Sequence, residues 1–144
     1  SAHFGDVTEC AGFCIVLHGF CTFFAGNADT STRILKKYYE LEPRINTSET
    51  YRNTYCVRVG VIAYFLIGKY FLHPDNPNRK NAFREFKILM NEEPYKSAIA
   101  AIDLRVMDLN LNKIKLWLLK HRKYRSVFLY YNLVNMIQKI RGVK

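Results

Sequence analysis

Acidic residues are missing from the last quarter of this 144-residue chain. Residues 109–144 hold nine Lys/Arg and no Asp or Glu, whereas residues 1–108 hold 13 Lys/Arg against 12 Asp/Glu. The formal charge of +10 therefore belongs to one segment. Such a segment selects anionic partners, either nucleic-acid phosphates or an anionic membrane surface. Cysteine is scarce too. Cys10, Cys14, Cys21 and Cys56 make no dense disulfide framework, and their apolar surroundings suit free thiols in a reducing compartment. No Walker loop, G-x-G-x-x-G, H-E-x-x-H or G-x-S-x-G occurs, so the sequence offers no nucleotide, dinucleotide, zinc-protease or α/β-hydrolase signature and no expected cofactor. An initiator Met is lacking as well, and Ser1-Ala2-His3 reads as the start of a fragment.

What is present is apolar and aromatic. Half the residues are hydrophobic and 15% are aromatic, which argues against disorder and for one domain with a real core. Residues 10–28 are uncharged and apolar, and suit a buried strand, a helix or a single membrane span. Cys10, Cys14, His18 and Cys21 fall near one face if this stretch is helical. Four ligands along one helix spread over roughly 16 Å and cannot converge on a tetrahedral zinc, so buried thiols and a core His are the better reading.

Beyond residue 28 the periodicity is helical. Thr30 or Ser31 suits the cap of a helix through Glu42, and Asn46 with Glu49 makes a capping box for a long helix over 47–72. Tyr51, Tyr55, Val59, Ile62, Leu66 and Tyr70 form its core stripe. HPDNPN (73–78) breaks the chain. Phe83, Phe86 and Leu89 mark a short amphipathic helix, and Pro94 opens another over YKSAIAAI. A basic helix begins near Leu111, with Leu111, Ile114, Leu118 and His121 as its face. A last helix spans 124–141, with Val127, Tyr131, Val134 and Ile137 in register. The expected fold is mainly α, a multi-helix orthogonal or bundle arrangement with room for a short strand near the N-terminus. Residues 1–45 form an apolar segment and first helix, and 46–144 a basic helical domain.

The segment NKIKLWLLKHRKYRSVFLYYNLV (112–134) is apolar and basic at once. It suits a solvated face on a packed helix pair, attachment to a membrane surface, or nucleic-acid binding. In the membrane reading Lys113, Lys115, Lys120, Arg122, Lys123 and Arg125 meet anionic headgroups, and Trp117 anchors at the interface. Its rivals are a small basic nucleic-acid-binding protein and a single-span membrane protein.

The order of elements from YRNTYCVRVGVIAYFLIGKYFL through FREFKILMNEEPYKSAI to KIKLWLLKHRKYRSVFLYY resembles the helical tail that follows the catalytic domain in bacterial family 2 glycosyltransferases of surface-polysaccharide synthesis. The resemblance covers residues 46–144. That family's catalytic domain is a nucleotide-sugar-binding α/β fold with a metal-binding Asp-x-Asp, and no Asp-x-Asp occurs here. Residues 5–32 are similar in outline to the passage bearing the family's catalytic base, yet neither Asp6 nor Glu9 matches its motif. The resemblance therefore implies a non-catalytic scaffold, peripheral on the cytoplasmic membrane face, with an upstream catalytic domain as partner.

Overall fold

A computed structural model describes residues 28–107 and 110–142. These residues are mainly α-helical, with seven α-helices and no strand among them. The apolar stretch 10–28, with its metal-ligand candidates and the expected strand, lies outside the described residues apart from Ala28. No helix among the described residues is long and apolar enough to cross a membrane.

The helices are α1 (Ala28–Leu41), α2 (Arg44–Thr47), α3 (Glu49–Leu66), α4 (Ala82–Met90), α5 (Tyr95–Ala100), α6 (Leu111–Lys120) and α7 (Tyr124–Ile140). The central member is α3, whose Tyr51, Tyr55, Val59, Ile62 and Leu66 are all buried. Five residues spaced three or four apart form one stripe, and burial of that stripe drives the helix into the core. Its start differs from the sequence expectation. Ser48, in extended backbone, is the cap and accepts from the Tyr51 N–H at 3.4 Å. Asn46 belongs instead to the one-turn α2, where its Oδ1 accepts from the Tyr39 hydroxyl at 2.9 Å. Thr30 and Ser31 lie inside α1 rather than at a cap.

The end of α3 differs as well. Ile67–Phe71 is π-helical, and Leu72 N–H donates to the Ile67 carbonyl five residues back. The wider turn delays the register by one residue. Phe71, not Tyr70, is the buried aromatic, and it meets Phe86 of α4 edge-on at 5.7 Å. Tyr70, expected in the core, is partly exposed.

Around α3, Leu35 of α1 is buried, and its carbonyl accepts from the Tyr55 hydroxyl at 3.2 Å. Tyr95 of α5 is buried, with its hydroxyl 2.9 Å from Thr32 Oγ1. On the other side α6 seats Leu116 against Gly60. A Cβ at that position would lie 2.5 Å from Leu116 Cδ2, so glycine at 60 is what lets Leu116 sit so closely on α3. Phe86 and Leu89 of α4 are buried as expected, with Phe83 half-buried.

Candidate functional site: the basic α6–α7 hairpin

The basic segment folds into two helices joined at His121–Lys123. Asn110 starts α6 by accepting from the Lys113 N–H at 3.1 Å. The break after Lys120 has a defined cause. Lys123 N–H donates to the Leu118 carbonyl and Arg122 N–H to the Leu119 carbonyl, with Arg122 at φ 60°. That is a Schellman closure with arginine in the left-handed position where glycine is usual. The Arg122 guanidinium donates to Asn91 Oδ1, which ties the turn to the end of α4.

The inward face of the hairpin is not the expected one. Leu116 and Leu119 are buried on α6, and Tyr124 and Val127 on α7. Of the face expected to pack, Leu118 is half-buried against the core, but Leu111 is 63% exposed and Ile114 and His121 are exposed too, as is Trp117 beside them. On α7, Val127 packs as expected and Tyr131 and Val134 are half-buried, but Ile137 is exposed. Leu129, Leu133, Met136 and Ile140 recur at four, three and four residues and form a second apolar stripe. It too faces outward, with Leu129 69% and Ile140 77% exposed. A soluble helix pair normally buries one stripe per helix; here each helix has a buried one and an exposed one.

The cations border these stripes. Lys113, Trp117 and Lys120 share one side of α6 at i, i+4 and i+7 spacing. Lys113 Nζ donates to the Met107 carbonyl at 3.2 Å, and Lys120 Nζ donates to the Ile102 carbonyl. Lys115 lies on another side of α6, its Nζ 4.4 Å from the Tyr64 ring centre. Burial lowers its pKa from the ordinary lysine value. Arg125 stands over the Phe83 ring at 5.6 Å, and Lys123 is exposed. The Trp117 ring packs on His121 at 4.5 Å. The six cations thus surround the hairpin rather than forming one flat patch. None of them is paired with a carboxylate among the described residues. Hydrogen bonds to neutral carbonyls and an amide position Lys113, Lys120 and Arg122 without cancelling their charges.

Sequence reasoning missed Tyr64, Lys69 and Tyr131. With Lys115 they line a groove between α3, its π-helical end, α6 and α7. Only the three-dimensional approach of these elements assembles it. A second cavity, of about 490 Å³, lies between α1, α3 and α5 and is lined by Tyr39, Arg52, Tyr55, Cys56 and Glu93 among others. On its exposed rim the Ser97 hydroxyl donates to Glu93 Oε1 at 2.7 Å, a pairing four residues apart at the start of α5. Burial raises the Cys56 thiol and the Tyr55 hydroxyl above their usual values, which keeps both protonated. Among the described residues no group of three or more His, Cys, Asp or Glu could hold a metal ion.

No family model, curated protein or solved structure matches this chain.

Proposed function

We propose that the α6–α7 hairpin attaches this chain to an anionic membrane surface. Lys113, Lys115, Lys120, Arg122, Lys123 and Arg125 supply the attraction to headgroups, and Trp117 is the interfacial anchor. The observation that carries this reading is the pair of outward apolar stripes bordered by cations without carboxylate partners. Leaving a large aliphatic side chain in water forgoes about 1.5–3 kcal/mol relative to burial. Four of them on one face of α7 are a standing cost that a lipid interface relieves. A nucleic-acid surface relieves less of it, because bases stack on aromatic rings and the α7 stripe is aliphatic.

We further propose that the chain is the scaffold and attachment region of a family 2 glycosyltransferase of surface-polysaccharide synthesis, on the cytoplasmic face of the membrane and without catalytic residues of its own. This reading rests on the resemblance in helix order and composition over 46–144. In its support, a long helix, a Pro/Asn turn, two short helices, a basic helix and an aromatic helix follow one another in that order. An upstream nucleotide-sugar domain would then be held at the bilayer where lipid-linked acceptors lie.

Co-sedimentation with phosphatidylglycerol-containing and neutral vesicles tests the attachment. Each near-surface Lys or Arg contributes about 1 kcal/mol to binding an anionic bilayer. The double reversal Lys123→Glu/Arg125→Glu removes two such attractions and adds two repulsions, so affinity should fall at least about 30-fold. Binding by this variant equal to that of the parent chain would refute the attachment. Equal binding to neutral vesicles would refute the electrostatic part.

A further inference from the structure

The groove between α3, its π-helical continuation, α6 and α7 has a volume of about 690 Å³. Its lining contains Lys69, Lys115 and His73, the amides of Asn112 and Asn135, and the Tyr131 hydroxyl, but no Asp or Glu. Three features set it apart from an ordinary solvated cleft. First, the Lys115 ammonium is half-buried and faces the Tyr64 ring, with no hydrogen-bond acceptor or carboxylate among the described residues. A cation withdrawn from water in this way is poised for an anion, and burial lowers its pKa from the ordinary lysine value. Second, Lys69 is exposed at the rim, also without a carboxylate partner among the described residues. Third, the Tyr131 hydroxyl occupies the space a Cβ at position 68 would need, at 2.0 Å, so Gly68 is what admits that ring to the groove wall. One acid stands near the rim. Asp75 donates its N–H to His73 Nδ1 at 3.1 Å and brings its carboxylate to 3.7 Å, which leaves only the other ring nitrogen of His73 for a ligand.

We propose that this groove binds a phosphoryl group, with Lys115 and Lys69 as the cationic contacts and the side-chain amides and tyrosine hydroxyl as neutral donors. Phosphate takes several N–H and O–H donors at once, and this lining offers both kinds around two lysines. Leu111 of the outward α6 face also lines the groove. A phosphomonoester lipid headgroup at the surface met by the hairpin is therefore the natural source. The proposal rests on the attachment reading only for that source and shares Lys115 with it; Lys69, the amides and Tyr131 belong to the groove alone.

The test compares vesicles containing phosphatidic acid with vesicles containing phosphatidylglycerol at matched total charge, alongside titration of the chain with inorganic phosphate followed by backbone amide NMR. The parent chain should prefer phosphatidic acid by about tenfold, and Lys69→Gln should remove the preference while binding to phosphatidylglycerol persists; Lys115→Gln should remove it too, with phosphatidylglycerol binding weakened only by the one charge lost, about fivefold. Lys115→Arg, which keeps the charge, should keep it. Gly68→Ala, which leaves every charge in place and dislodges Tyr131, should weaken it. Amide shifts with inorganic phosphate confined to groove residues and abolished in Lys115→Gln, without a lipid preference, would support the site and assign it a soluble phosphorylated ligand. Groove shifts without any vesicle binding would support the site and refute the attachment reading. Neither preference nor groove-confined shifts would overturn the proposal, even with phosphatidylglycerol binding intact.

Discussion

The seating of the basic hairpin on the core can be tested at one point, the contact of Gly60 with Leu116. A Cβ at position 60 would lie 2.5 Å from Leu116 Cδ2 and 3.2 Å from Ile102 Cδ1. Carbon atoms pack at about 3.5–4.0 Å, so Gly60→Ala must displace Leu116 by about 1 Å. Overpacking of this kind costs about 1–3 kcal/mol, while alanine regains about 1 kcal/mol of helix propensity over glycine. The net loss should be about 1 kcal/mol. Leu116 is fully buried, and Leu116→Ala should cost about 2–5 kcal/mol through the cavity it leaves. In the double variant the new methyl occupies part of that cavity, and the clash with Leu116 is gone, leaving the 3.2 Å approach to Ile102 Cδ1. Its destabilisation should fall short of the sum by about 1–2 kcal/mol. Urea titrations of the four proteins, followed by circular dichroism at 222 nm with slopes compared, measure the coupling. Additivity within about 0.5 kcal/mol would mean that α6 does not rest on α3 at Gly60. The groove and the orientation of both outward stripes would then fall with it.

Trp117 is 43% exposed and touches His121 rather than the core, so Trp117→Ala should lower affinity for anionic vesicles about tenfold and shift the thermal midpoint by only about 2 °C. A large loss of stability with unchanged vesicle affinity would make Trp117 a packing residue. Burial raises the hydroxyls of Tyr64 and Tyr95 to about 12. Because the folded value exceeds the ordinary one near 10, their contribution to stability is fully present below about pH 10 and is lost as pH rises through about 12. Absorbance at 295 nm should show these two groups ionising with alkaline unfolding, and Tyr95→Phe should weaken that dependence. Titration of all ten tyrosines near pH 10 in a chain still folded would contradict the burial.

Much of the helix order was legible in the sequence because it rests on local signals. The stripe from Tyr51 to Leu66, the break at 73–78, Phe86 and Leu89 on α4, and the Lys-His-Arg-Lys break before Tyr124 are all read from spacing and turn chemistry. Two local details went the other way. Asn46 and Ser48 are both competent caps two residues apart, and the choice of Ser48 depends on α2 folding back so that Ile45 is buried. The π-turn that exchanges Phe71 for Tyr70 has no signature in spacing; it gives Phe71 its contact with Phe86.

The candidate site divides in the same way. Charge is additive along a chain, so the sequence alone determined that residues 109–144 are a cationic, aromatic-rich segment. The helical fold class was likewise written in periodicity and composition. Which side of each basic helix faces inward could not be read there. α6 and α7 each carry two apolar stripes, and a period of 3.6 marks both without ranking them. Only the fit of Leu116 against Gly60 and of Tyr131 against Gly68 decided which stripe is buried, which is left outward, and that Lys115 overlooks a groove. These are contacts between elements distant in the chain, and their energy depends on shapes that exist only once both sides are folded.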